Sequence, residues 1–418
     1  MAGVRELRSE APSDSESSYF DDLESEIDER FDLIGDAIAK PDWRLSACCA
    51  SCCCVVVFFV IAIYTWPYYL GDVQDTWIAY LNSPPPLVQN LTRELLVRAD
   101  HIGKILEDNG TMVPPSLDIV CSGGGMLSMY CVGAHSVLKS LERLNRTKVA
   151  RMAGASGGGD FAFRAGIYSD RTTAIEQNLA LAQVEADHPW AFSLPVVAMT
   201  VDDLWRILGH AIVDNPVNNL TRLSDVAFLS ITVLVPWPKT VLASRYTSRT
   251  QAYEAFIGTG SCFILPSAVS RLEFFYDGKL AFDGAFLDCE PHFEDDHGWQ
   301  LVVRLDDLDV QNKDAILLGK YTIDEAVRLM EKGQDDVATL VRSFNQEQRV
   351  TFSPEVPAMR ILGESAEEWD TFDCTGSPLS DTKIVLIQVG YLLSVAFCIV
   401  CLPWSGFFCC KRWCRHFE

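Results

Sequence analysis

Two stretches of the chain run for more than twenty positions without a charged residue. The first, Leu45 to Trp66, centres on Val55-Val56-Val57-Phe58-Phe59-Val60-Ile61-Ala62-Ile63; the second, Ile384 to Cys410, has Pro403 as an exit point. About 20 such residues cross a bilayer as a helix, so transmembrane helices are predicted at 45–66 and 384–403. A 44-residue polar segment ahead of the first run argues for a signal-anchor and against a cleaved signal peptide.

Between the runs the pattern changes period. In the membrane-proximal lead-in, 67–116, Pro84-Pro85-Pro86 breaks the chain, and Leu91, Leu95, Ile102, Ile105 and Leu106 then share one helical face that ends at Asn109-Gly110. From Leu117 strand and helix alternate: a strand Leu117–Cys121, a helix Met126–Leu144, a strand Val149–Ala155 and a helix from Gly157. Further strands are predicted at Phe228–Val235, Thr240–Ala243, Glu273–Tyr276 and Leu301–Leu305. Thr322–Phe344 reads as a long helix with Thr322 as N-cap and Glu325 three residues on. This alternation predicts an α/β domain over 117–380, a three-layer α/β/α sandwich around a mainly parallel sheet, flanked by the two spans. Trp190, Phe192 and Trp205 fall in 170–225, where the pattern assigns no element and core is the expected environment.

Charge refines the topology. Residues 1–44 hold 13 Asp/Glu against 5 Lys/Arg, with Ser13, Ser15, Ser17 and Ser18 among the acids, and read as a disordered tail. The whole chain carries a net charge of -23 and no Lys/Arg cluster, which excludes nucleic acid as a partner. Arg30, Lys40 and Arg44 precede the first span, and Lys411, Arg412 and Arg415 lie in the short Cys/basic tail 404–418. Both termini are therefore expected in the cytosol, with the domain between them lumenal or extracellular; the alternative is a cytosolic domain. Asn-x-Ser/Thr sequons at Asn90, Asn109, Asn145 and Asn219 all fall between the spans. Of 15 cysteines, Cys121, Cys131, Cys262, Cys289 and Cys374 lie between the spans, an odd number from which no disulfide pairing follows. Their spacing is not that of metal ligands, and neither a metal nor a cofactor is expected.

Three short motifs carry candidate chemistry: Gly123-Gly124-Gly125, then Gly154-Ala155-Ser156-Gly157-Gly158, then Asp283-Gly284-Ala285. A serine hydroxyl needs a base to become a nucleophile, and the carbonyl it attacks needs donors for the developing oxyanion. Gly154 and Gly158 permit the tight strand-to-helix turn that raises Ser156 over the sheet. Side-chain-free Gly123, Gly124 and Gly125 can turn backbone N–H groups into one pocket. Asp283 is then the base, provided it is partly desolvated and bonded directly to Ser156. A Ser-His-Asp alternative would recruit His292 or His297.

These motifs resemble those of the patatin-like phospholipases, Gly-Gly-Gly-x-Arg/Lys-Gly, Gly-x-Ser-x-Gly and Asp-Gly-Gly/Ala, over roughly Leu117 to Leu305. Tyr130-Cys131-Val132-Gly133 and Val137 to Leu141 are similar to the family's first helix, and Ser261 to Pro266 to its Ser-x-x-Ile-Pro stretch, with Pro291 where a proline commonly follows. The resemblance implies a Ser156–Asp283 dyad without histidine and a lipid acyl hydrolase of phospholipase A, lysophospholipase or acylglycerol lipase type, with membrane lipids as substrate. Two departures stand out: Met126-Leu127 followed by Ser128 replaces the basic residue and glycine, and Cys289 replaces a usual Asn. They admit a second expectation, a catalytically weak or inactive lipid-binding scaffold.

Overall fold

A computed structural model describes residues 70–363 apart from 169, 193–196, 234–237, 261–274, 294–297, 318 and 349. The acidic tail, both expected spans, the 404–418 tail, the Ser261–Pro266 stretch and His297 lie outside the described residues. Among the described residues no helix is long and apolar enough to cross a membrane.

The lead-in forms two helices, α1 (Gly71–Asn82) and α2 (Pro86–Asp108), separated by the proline breaker. Pro86 opens α2, where a missing N–H costs nothing, and Asn109 closes it as expected. Leu95, Ile102 and Leu106 face inward with Ala99 between them, so the lead-in belongs to the core of the domain behind it. Strands β1 (Leu117–Cys121), β2 (Val149–Gly154), β3 (Ala227–Val233) and β7 (Trp299–Val303) form a parallel centre in the order β3-β2-β1-β7. Every residue of β1 is buried, the mark of a strand covered on both faces. Antiparallel strands complete the margins: β4 (Lys239–Ala243), β5 (Phe275–Tyr276) and β6 (Lys279–Asp283) on the β3 side, β8 (Val350–Phe352) and β9 (Met359–Leu362) beyond β7. The result is an α/β fold on a mixed sheet, mostly parallel at its centre, consistent with a three-layer sandwich.

The expected strand positions hold within two residues at each of the four central strands, but β6, β8 and β9 carry no hydropathy signal of their own. The single helix expected at Met126–Leu144 is divided into a 3-10 turn, Gly125–Ser128, and α3 (Met129–Arg143). Residues 170–225 supply α5 (Thr172–Asp187) and α6 (Val197–Val213), following α4 (Gly157–Ile167). Phe192 is core and Trp205 packs on Phe256 at 5.4 Å between centroids, whereas Trp190 is 47% exposed, against expectation. It lies in the turn after α5.

Helices α7 (Arg249–Gly260), α8 (Lys313–Leu317) and α9 (Ile323–Arg342) complete the described set. The expected capping box is present: Thr322 Oγ1 accepts the Glu325 N–H at 3.2 Å, and the Glu325 carboxylate accepts the Thr322 N–H at 2.7 Å. α9 presses against α3 through glycines from both sides. A methyl added at Gly133 would lie 2.0 Å from the Met330 carbonyl oxygen, and one at Gly333 would lie 2.1 Å from that of Tyr130. Backbone, unlike a flexible side chain, cannot swing away from such an intrusion. Gly133→Ala should therefore cost about 3 kcal/mol through forced separation of the helices, lowering Tm by roughly 6–10 °C in calorimetry; an unchanged Tm would show the contact is not tight. The same contact fixes α3, whose start is the end of the glycine loop.

Candidate active site

Sheet register brings two distant segments together. A strand has only two edges, and β4 occupies one edge of β3 from Leu229 to Val233. The other edge is shared in succession: β2 pairs with Ala227–Leu229 and stops at Gly154, then β6 pairs with Ile231–Val233 and ends at Asp283. Asp283 thus emerges two positions along β3 from the point where β2 turns into Ser156.

The turn at Ser156 is forced by close packing. A methyl at Gly154 would lie 2.1 Å from the Gly158 carbonyl, and one at Gly158 2.2 Å from the Cys121 oxygen. Both positions therefore admit only glycine without a shift of backbone. Ser156 itself adopts φ 52 and ψ -126, a conformation that costs a non-glycine residue about 1–3 kcal/mol. Its N–H donates to the Thr259 carbonyl at 2.8 Å and its carbonyl accepts the Asp160 N–H at 3.0 Å, which hold the strain in place. Ser156 immediately precedes α4, so its side chain stands at a helix N-terminus.

Asp283 stands beside the serine. The Ser156 side chain lies close enough to its carboxylate to favour the charged form, and the Ala285 N–H donates to Oδ1 at 2.8 Å. Burial outweighs both influences and raises its pKa to about 6. Gly284 lets this corner sit on β3, since a methyl there would lie 2.0 Å from the Ser230 carbonyl oxygen. Asp288, in contrast, is raised by burial and opposed by the charge of His292 beside it, and the His292 ring is exposed. The group beside the Ser156 side chain is thus the Asp283 carboxylate.

The glycine loop lies alongside. A methyl at Gly123 would lie 2.7 Å from Ala285 Cβ and 3.6 Å from Ser156 Cβ, so this residue forms the wall between nucleophile and base. Its N–H, however, donates to the Cys289 carbonyl at 2.9 Å and is spent on structure, a correction to the expectation that all three glycines offer donors. The amides of Gly124 and Gly125 have no backbone acceptor among the described residues. Gly125 takes φ +50 with its Cα against the Leu317 carbonyl, an approach only glycine allows. The motif reading left out Gly157, the first residue of α4, which abuts the loop: a methyl added there would lie 1.9 Å from the Gly125 carbonyl oxygen. Its signal is positional, because the amide after a nucleophile at a helix start points back toward the reacting carbon. Thr259, which anchors Ser156 and donates its own hydroxyl to the Ser230 carbonyl at 2.7 Å, had no signal at all.

Leu127, where the family pattern has a cation, is fully buried, and Ser128 behind it is 1% exposed. One disulfide joins Cys121 to Cys131, and Cys289 is also disulfide-bonded. Compared with known protein families and with curated proteins, the chain matches none.

Proposed function

We propose that the protein is a membrane-anchored serine acyl hydrolase that cleaves lipid esters with a Ser156–Asp283 dyad. The observation that carries this reading is the approach of the strained Ser156 side chain to a desolvated Asp283 carboxylate, beside Gly124 and Gly125 amides that have no backbone acceptor among the described residues. Ser156 Oγ attacks the ester carbonyl while Asp283 takes its proton and returns it to the leaving alcohol. The amides of Gly124, Gly125 and Gly157 receive the oxyanion. Water then resolves the acyl-enzyme, with Asp283 again taking a proton. A fluorophosphonate probe tests this directly, because it reacts only with an activated serine: labelling should map to the peptide containing Ser156, and a folded protein that stays unlabelled overturns the reading.

The likeness of the three motifs to the patatin-like phospholipases supports a lipid ester as substrate, as do the apolar runs that would hold the site at a bilayer. The fully buried Leu127 favours one rival, a lipid-binding scaffold with slow or no turnover, since no cation stands at that position. Disulfides persist in oxidising compartments, which supports a lumenal or extracellular domain. So does the exposure of all four sequon asparagines, Asn90, Asn109, Asn145 and Asn219. Protein from a secretory cell should therefore lose mass on endoglycosidase treatment, in steps removed one at a time by Asn→Gln at each site. Unchanged mobility together with protease access from the cytosol would reverse the topology.

A further inference from the structure

Two covalent links converge on the glycine loop. Cys121 is the last residue of β1 and Cys131 lies in the first turn of α3, so their bond spans a sequence separation of 10 that contains all three loop glycines. On the opposite wall, disulfide-bonded Cys289 supplies the carbonyl that accepts the Gly123 N–H at 2.9 Å. Cys121, Cys131 and Cys289 are all buried, at 0%, 1% and 6% exposure.

The loop has an anchoring problem that follows from its chemistry. Glycine backbone has little conformational preference of its own. The amides that would receive an oxyanion must stay free of protein acceptors, so they cannot fasten the loop. Among the described residues its backbone hydrogen bonds to the rest of the domain lie upstream: the Ser122 N–H on the Val303 carbonyl at 2.9 Å, the Leu305 N–H on Ser122 Oγ at 2.9 Å, and the Gly123 N–H on Cys289. Downstream of Gly124, the Leu127 N–H bonds back to the Gly124 carbonyl at 3.0 Å and so holds the turn to itself. The bond between Cys121 and Cys131 ties the helix side of the loop covalently to the sheet, in addition to the packing of α3 on α9.

We propose that the Cys121–Cys131 disulfide is a positioning element for the hydrolase: it holds the Gly124 and Gly125 amides convergent on the ester carbonyl. Its loss slows acylation of Ser156 without unfolding the domain, whose core holds many buried side chains besides these two cysteines. This rests on the hydrolase reading. It makes turnover a property of the oxidised protein.

The test compares the full chain with Cys121→Ala/Cys131→Ala, using hydrolysis of a neutral chromogenic ester and the rate of fluorophosphonate labelling. Removing one oxyanion donor outright costs about 100–1000-fold in kcat, so loosening two predicts a fall of roughly 10–100-fold. KM should stay within about threefold and thermal unfolding should remain cooperative, because ester binding does not use the oxyanion donors in the ground state. An unchanged kcat, or a loss that only tracks the unfolded fraction, overturns the clamp. If the double variant does not fold, the parent answers instead. A small dithiol passes two electrons to the bridge and is itself oxidised to a cyclic disulfide; alkylation and peptide mass then count the thiols at Cys121 and Cys131 separately from any released at Cys289, and activity is compared in the sample whose Cys289 bond persists. Activity that falls while near-ultraviolet dichroism is retained supports the clamp; activity that survives alkylation of both cysteines, or disappears only with global unfolding, overturns it. A parent that neither labels nor hydrolyses overturns the hydrolase reading and the clamp together, whereas an active parent indifferent to the bridge overturns the clamp alone.

Discussion

Replacing Ser156 by alanine is expected to lower ester hydrolysis by at least about 10⁴-fold while leaving the protein folded. The loss is this large because the hydroxyl is the attacking atom and the neighbouring groups act only through it. A residual rate over water is expected from the loop amides, which still stabilise an oxyanion formed by direct water attack. Stability should respond in a way that separates strain from chemistry. At φ 52 and ψ -126 alanine is as strained as serine, so Ser156→Ala relieves nothing, but glycine adopts that region freely. Ser156→Gly should therefore unfold at a higher temperature than Ser156→Ala, by the equivalent of roughly 1 kcal/mol, though both are inactive. Equal melting temperatures would mean that the elbow stores no strain, and parental activity in either variant would remove Ser156 from the mechanism.

How much of this was readable beforehand divides along a physical line. The central strands were legible because burial on both faces leaves continuous apolar runs such as Leu117–Cys121, and α9 was legible from its capping box and amphipathic period. The antiparallel margins were not. β6 reads Lys-Leu-Ala-Phe-Asp and β9 Met-Arg-Ile-Leu, segments too short for periodicity to separate from loop, and their pairing to the central strands β3 and β7 is with residues about 50 to 60 positions away. At the site, the glycines announced the elbow because only glycine tolerates backbone at contact distance. They could not announce which amides would be free. That Gly123 spends its N–H on Cys289 depends on where a carbonyl from a distant turn arrives. The Cys121–Cys131 pair was similarly hidden, since an odd set of cysteines fixes no connectivity until strand and helix are packed.

Asp283→Asn should produce the second large effect, and one with a signature in pH. An amide cannot take the serine proton, so hydrolysis should fall by roughly 10³–10⁴-fold, near the upper range for a single general base. In the parent, burial holds the Asp283 pKa at about 6, above its ordinary 3.8, so the base is half-protonated near pH 6. Hydrolysis should therefore rise with pH, with an apparent pKa near 6, and level off above about pH 7. The same shift fixes the sign of the stability change. A folded-state pKa raised above the unfolded one means that the protonated acid is the form that folding favours. Its contribution is complete below about pH 4 and is lost as pH rises through 6. At pH 8 the parent carries a buried charge that costs roughly 1–3 kcal/mol, with some access to solvent keeping the figure below the full shift. The asparagine variant carries none, so it should be more stable than the parent at pH 8 by that amount, with the gain shrinking toward zero at pH 4. Denaturant titrations at the two pH values measure it. A gain independent of pH, or a flat rate profile between pH 5 and 8, would show that the carboxylate beside Ser156 is not the group that accepts its proton.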